Sequence, residues 1–591
     1  MSWKLVPNNF QPVRVVAVMS IWVSKLPQSI TMGGSTIAHV EDVSGQNANA
    51  TVHAKTLVLV VAVNMVFFAQ LISVVGSGSL GHSIAAVTGA TEYEVWFTSS
   101  ISILTAALSP PVSQAADYWG RKWPLVFFTS LGCIGSIVVS RANSPSSILA
   151  GFVISGIGFG AQPLIATISS EVLPRRWRPF AQGFFCSAGA LSAVVSLLFG
   201  GALVRDGSHE RFRIYYYVCG GVFALSALLS TLLYNPPPRN FQIELKFNEK
   251  IRRLDWPAYA LLTGGTILFC MGLSWSHHPY SWSDPHVVAP FVVGVGLFIG
   301  LIFYALFVRK DGIVHHELFS NRNFPIALGC QFVEGLTFFA SNNYWPSESL
   351  KLLSSDTLLV GANYGIAFIA GIIFAGFGAA FSWKTKLLRP PAMLAFVLFV
   401  IFDILAATIT TNTPNANFWI YPIFVGGGMG LCLTNGMTLA QFATPLELLS
   451  TTTGLVLAVR NLGGTVGLAI YNAVFHHCVV SNLASNVAAA TLPLGLPETS
   501  LNPLVDILNS GNLEDLSTIP GITSAIKYAA EHAQLETYVT AYRYVWVTAG
   551  AFSASAVIST AFILERKTDF NAHVDAPVEG DTQSSAYLEK A

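Results

Sequence analysis

The chain has 591 residues, of which 52% are hydrophobic and 10% charged, and its 31 basic side chains balance 31 acidic ones. An average soluble domain has about a quarter of its residues charged, so most of this chain has no means of building a water-exposed surface. The zero balance excludes a global field aimed at nucleic acid or at an acidic substrate.

Residues 1–54 contain one apolar stretch, Val15 to Val23, which is shorter than the ~20 residues a bilayer-spanning helix needs. No small-residue cleavage site clearly follows it, so it reads as part of a cytosolic tail rather than as a signal peptide. Asn49-Ala50-Thr51 fits a glycosylation acceptor but falls on that same tail, where it is a chance match. Apolar segments long enough to span follow near 56–76, 93–113, 124–142, 147–170, 181–203 and 214–234. A basic linker opening on Pro236-Pro237-Pro238 leads to two more, near 256–275 and 287–308. Six others follow near 324–345, 358–382, 391–411, 417–440, 452–475 and 544–564. The chain therefore divides into a tail (1–54), a six-helix bundle (55–234), a linker with two additional helices (235–322), a second six-helix bundle (323–564) and a cytosolic tail (565–591). The connection 476–543 reads as a long, mobile outer loop.

With the first tail in the cytosol, the inner segments hold Arg121, Lys122, Arg175, Arg176, Arg178, Arg252, Arg253, Arg309, Lys310, Lys384, Lys386 and Arg389, among others. The outer ones hold only Arg141, Arg205, Arg211, Arg213, Lys351, Lys527 and Arg543. That asymmetry obeys the positive-inside rule and puts both termini in the cytosol.

Several function classes are excluded by what is missing. There is no G-x-x-x-x-G-K-[ST] loop for ATP, no H-E-x-x-H and no G-x-S-x-G, so no enzyme activity and no cofactor are expected. The seven cysteines stand singly, without a C-x-x-C pair, and the His277-His278, His315-His316 and His476-His477 pairs lie near helix ends. Adjacent helical residues point in different directions, so no metal site is expected.

Between the second and third spans lies Asp117-Tyr118-Trp119-Gly120-Arg121-Lys122. A turn at Gly120 allows Asp117 to sit by helix N-termini or a basic partner, and leaves Arg121 and Lys122 at the anionic inner surface. This D-x-x-G-R-K string resembles the loop signature of the major facilitator superfamily, where it latches the two halves of the fold in one state. The copy departs from the family at Ser113, at Phe152 and at Ser196-Leu197, which stand where glycine, arginine and an antiporter Gly-Pro are usual. Tyr280-Ser281-Trp282, Glu317-Leu318-Phe319-Ser320-Asn321-Arg322 and the stretch from Val459 to Tyr471 add to the likeness. With the six, two, six layout they resemble the fungal fourteen-span facilitators that include trichothecene efflux pumps and siderophore-iron transporters. The resemblance implies an all-α membrane protein of two six-helix bundles plus two inserted helices, about fourteen spans in all.

Ionisable residues inside spans are costly and need a reason. Glu334 on the ninth span and Arg460 on the thirteenth lie at similar depth, and the resemblance places both helices beside the central cavity. They are the proton-coupling candidates. Asp403, on a helix the resemblance makes peripheral, is expected to make a structural pairing. Asn64, Gln70, Gln162, Gln182, Gln331, Asn363, Tyr364, Asn435 and Asn461 are the cavity candidates. Being uncharged, and accompanied by Phe338, Phe339 and Phe368, they suit a small amphipathic ligand. The expected function is proton-coupled efflux of a hydrophobic toxin or secondary metabolite by a plasma-membrane monomer in the lipid bilayer. Ferric siderophore import and a non-transporting receptor are the alternatives, and the short tail after Leu564 speaks against the receptor.

Overall fold

The computed structural model describes residues 54–204, 208–236, 243, 246–275, 283–354, 356–510 and 519–576. Tyr280-Ser281-Trp282, His277-His278 and the Asn49 acceptor lie outside these. Among the described residues the chain is helical, with no strand beyond an isolated bridge between Pro174 and Val574.

The first bundle comprises α1 (Ala54–Ser79), the short α2 (Gly81–Thr88), α3 (Glu94–Trp119), α4 (Lys122–Arg141), α5 (Pro145–Gly158) continued through a 3₁₀ turn into α6 (Gln162–Glu171), α7 (Arg178–Val204) and α8 (Phe212–Leu233). Its boundaries follow local chemistry. Gly120 adopts φ +89°, a conformation open to glycine, and so ends α3 and redirects the chain into α4. Ser144 and Ser147 cap α5 reciprocally, with Pro145 at its first position. Phe152, in place of the family's arginine, is fully buried and stacks on Phe97.

The short α9 (Phe247–Arg253) precedes the inserted pair, α10 (Trp256–Trp275) and α11 (Pro285–Phe303). These two pack on each other, and α10 leans on α3, where Tyr259 donates to Gln114 at 2.5 Å. Of α11 only Val287, Gly294 and Leu301 are buried, and Ile299, Ile302 and Phe303 are all more than half exposed. Such a surface is stable against lipid, not water.

The second bundle comprises α12 (Asn323–Leu352), α13 (Thr357–Thr385), α14 (Arg389–Ala407), α15 (Asn415–Ile420) leading into α16 (Pro422–Phe442), α17 (Leu449–Thr491) and, after the short α18 (Leu501–Ser510), α19 (Ser524–Thr560). Every expected span is helical. Among the described residues, twelve helical stretches are long and apolar enough to cross a membrane. Helices α3 and α19 fall short of that measure, α3 because it is rich in Ser and Thr and α19 because it also carries Lys527, Glu531, Glu536 and Arg543.

The connection 476–543 corrects the sequence reading. At 43 and 37 residues, α17 and α19 run about 65 and 55 Å at 1.5 Å per residue, well beyond a hydrocarbon core of about 30 Å. Their projecting ends and α18 enclose a separate core of Val479, Leu483, Val487, Leu504, Leu508, Ile526 and Ala530. Over its described residues the loop expected to be mobile is thus a helical extension with its own hydrophobic interior, and Pro493, Pro497, Pro503 and Pro520 do not prevent it because they fall at helix starts and in the turns.

The two bundles meet along two seams. At one, α7 packs on α13 and α16; at the other, α3 and α6 pack on α17. Small residues allow the approach. Gly454 faces Ser113 and Ser109 so closely that a Cβ would clash. The serine that replaces the family's glycine is therefore matched by a glycine across the seam.

Candidate functional site

Helices α12 and α17 touch backbone to backbone. A Cβ on Gly335 would strike the Arg460 carbonyl, one on Gly463 the Phe332 carbonyl, and one on Gly464 the ring of Phe339. This close crossing, of the small-residue kind that membrane helices favour, sets the Glu334 and Arg460 side chains face to face. Arg460 Nε lies 2.5 Å from Glu334 Oε2, and Nη2 lies 3.0 Å from Oε1. Glu334 is fully buried and the arginine side chain 14% exposed. Phe338, one turn along α12, covers the guanidinium at 5.0 Å. An ion pair of this geometry returns desolvation energy only while both charges persist; removing the charge on Glu334 leaves Arg460 without its counter-ion.

Gln331, one turn before Glu334, is also fully buried. Its Nε2 donates to the Cys432 carbonyl of α16 at 3.3 Å, in space that Gly436 leaves open, and its Oε1 has no partner. Asn461 follows Arg460 and is partly buried. On the first bundle, Gln70 is fully buried with both side-chain polar atoms unpartnered. Asn64 donates to Ser169 at 3.0 Å, and Gln162 opens α6. Gln182 donates to Ser170 at 2.6 Å and to Gln441 across the seam at 3.3 Å. Other candidates are engaged inside the second bundle. Asn363 links Trp345 (3.0 Å) to the Phe418 carbonyl (2.7 Å), Tyr364 pairs with Ser341 (3.2 Å), and Asn435 joins Ser382 (2.7 Å) to its own helix. Asp403 accepts from Ser553 at 2.9 Å, and Ser553 lies 2.9 Å from Thr337 on α12.

The D-x-x-G-R-K loop forms a second constellation, on the face where the basic loops collect. Asp117 Oδ2 accepts from the backbone amide (3.0 Å) and hydroxyl (2.8 Å) of Thr451 in the first turn of α17, where the helix end favours negative charge. Arg121 does not stay at the surface as expected: it is 3% exposed. It donates to Asp117 (2.9 Å), to Ser450 (2.6 Å) and to Glu171, the last residue of α6. The reason is that two carboxylates converge there and the forked guanidinium reaches both at once. Lys122 remains outside, bonded to Asn235. The cavity beside this loop, about 580 Å³, is lined by Asp117, Tyr118, Arg253, Arg309 and His315 among others.

Sequence reasoning missed Glu171, Gln441 and the tail residue Asp575. Glu171 and Gln441 stand near the end of an apolar run, where a polar side chain is read as a loop residue, and Asp575 lies in a polar tail; only Glu171, four residues before Arg175, carried any positional hint. Among the described residues no cluster suited to a metal ion occurs.

Residues 57–468 match the model of the Major Facilitator Superfamily. The chain belongs to that superfamily. Several curated relatives match this facilitator over two thirds of its length or more. The MFS-type efflux transporter ffsH of Aspergillus flavipes is 26% identical over 81% of each chain. The MFS efflux transporter aclA of Aspergillus oryzae is 28% identical over 68% of this chain and 72% of its own. The trichothecene efflux pump TRI12 of Fusarium sporotrichioides is 22% identical over 81% and 80%. Among solved structures, the human organic anion transporter MFSD10 covers 84% of this facilitator and 99% of its own chain at 13% identity, with a TM-score of 0.49. This facilitator is thus a multi-pass membrane protein of the class that handles small molecules.

Proposed function

We propose that this facilitator exports a hydrophobic toxin or secondary metabolite in exchange for protons, with Glu334 as the proton-binding group and Arg460 as its counter-ion. The observation that carries the reading is the doubly bonded, buried Glu334–Arg460 pair on two tightly crossed helices. A proton arriving from the acidic side adds to a Glu334 oxygen, the carboxylate becomes a neutral acid, and Arg460 keeps its charge but loses its partner. The guanidinium is then free to reorient toward Gln331 or the ligand, and the α12–α17 crossing relaxes. Efflux is supported by the names of the relatives ffsH, aclA and TRI12.

In the same reading the basic face is cytosolic, both termini lie there, the membrane is the plasma membrane, and one chain suffices. Helices α1 to α8 and α12 to α19 are the two rocking halves. Asp117, Gly120, Arg121 and Lys122 latch the cytosolic face, and the buried amides of Gln70 and Gln331, with their unpartnered atoms, bind the ligand's polar groups. The test is accumulation of a labelled sesquiterpenoid toxin in yeast stripped of its own exporters. Lower accumulation with the intact protein, lost in Glu334→Gln, is expected; unchanged accumulation with the intact protein would overturn export of this substrate class.

A further inference from the structure

The segment after α19 changes allegiance from one bundle to the other within a few residues. As far as Glu565 it belongs to the second bundle. Arg322 donates to the Phe562 carbonyl at 2.9 Å, Asn323 and Leu564 exchange hydrogen bonds of 2.8 and 2.9 Å, and the Glu565 carboxylate accepts the amides of Leu388 and Arg389. Phe570 then lies on Phe442 of α16, ring centres 4.9 Å apart.

From Asn571 onward the partners are in the loop that joins α6 to α7 of the first bundle. Arg176 N donates to Asn571 O at 2.9 Å, Arg175 N to His573 O at 2.9 Å, and Ala576 N to Glu171 O at 3.0 Å. Asp575 is the centre of this contact. Its carboxylate, 2% exposed, accepts from Arg175 Nε at 3.0 Å and from Arg178, which is itself 2% exposed. Arg178 also donates to the Gln441 carbonyl of α16 at 3.2 Å. One buried carboxylate therefore organises an arginine that touches both bundles.

We propose that residues 571–576 are a strap holding the basic face of the two bundles shut, and that Asp575 is its positioning residue. The loop 171–178 belongs to the first bundle and the Glu565 anchor to the second, so opening that face pulls the short segment between them against its two anchors. A buried charge pair that exists in one state and not in the other biases the equilibrium between them. The strap thus adds to the shut state a contribution beyond that of the Asp117–Thr451 latch, which it adjoins at Glu171.

The proposal rests on the alternating opening assumed for export, but its test reads the face itself and needs no substrate. Native Cys186 lies two turns into α7 from Arg178 and is 3% exposed. In the full-length protein in membranes, maleimide alkylation of Cys186 is followed by peptide mass spectrometry. Asp575→Asn is expected to raise its rate at least about tenfold, and Asp575→Glu to stay near the native rate. A native rate in a folded Asp575→Asn protein overturns the strap.

Should Asp575→Asn fail to fold, cysteines replacing Arg176 and Asn571 and joined by a short reducible cross-linker decide the matter. Slower Cys186 alkylation, restored by reductant, supports the strap, and an unchanged rate overturns it. If export through Glu334 fails while Cys186 responds as expected, the transport reading falls and the strap stands.

Discussion

Arg460 holds Glu334 through two separate nitrogens, 2.5 and 3.0 Å from the two carboxylate oxygens, and the backbone of the same arginine occupies the space where Gly335 has no Cβ. Side-chain charge pairing and backbone contact are therefore one joint. Altering either component changes the other, and the two are separable by choosing substitutions that act on charge or on volume alone.

Glu334→Gln keeps shape and removes charge. Proton-driven efflux into vesicles carrying a pH gradient should fall at least a hundredfold, about 2.7 kcal/mol, while exchange of labelled for unlabelled substrate without a gradient persists. Equal loss of both would remove Glu334 from coupling.

Glu334→Ala goes further, because it leaves Arg460 buried without an acceptor. Breaking one side of a buried pair costs about 3–5 kcal/mol, so the detergent-solubilised protein should melt well below Glu334→Gln. A double Glu334→Ala, Arg460→Met protein should recover part of that loss. Equal melting temperatures for Glu334→Ala and Glu334→Gln would contradict the pairing.

Gly335→Ala adds one methyl group against the Arg460 carbonyl, whereas Gly329→Ala on the same helix meets nothing within 4 Å. The first should cost about 1–3 kcal/mol through overpacking, and the second should stabilise slightly or not at all. Thermal unfolding of the two variants side by side tests the crossing, and a common effect would argue against it.

Trp546→Phe probes a buried acid that the coupling scheme does not use. Glu348 is 1% exposed and accepts from the Trp546 indole at 2.9 Å. Loss of that donor leaves a buried acceptor unmet, at about 1–3 kcal/mol. A drop in melting temperature with efflux per folded molecule retained is expected; loss of efflux at unchanged stability would assign Glu348 to transport.

Hydropathy, the bias of Arg and Lys to one side and the D-x-x-G-R-K string were enough to reach an all-helical membrane protein and the superfamily. These are properties of single helices in lipid, where backbone groups must be satisfied within each segment, so they are written locally. The candidacy of Glu334 and Arg460 was legible too, because a charge within an apolar run is conspicuous whatever its partner. Tertiary structure alone decided that the two meet, since it takes Gly335, Gly463 and Gly464, 128 residues and more apart in number between the helices at their nearest, to bring the backbones together. It alone buried Arg121, which the surrounding loop charges made look solvated until Glu171 and Asp117 converged on it. It turned a proline-containing stretch into helical extensions with a core, because apolar residues on α17, α18 and α19 cover one another only once all three are in place. And it drew Asp575 to Arg175 and Arg178, across 400 and 397 residues of chain, a distance over which no periodicity or spacing carries information about contact.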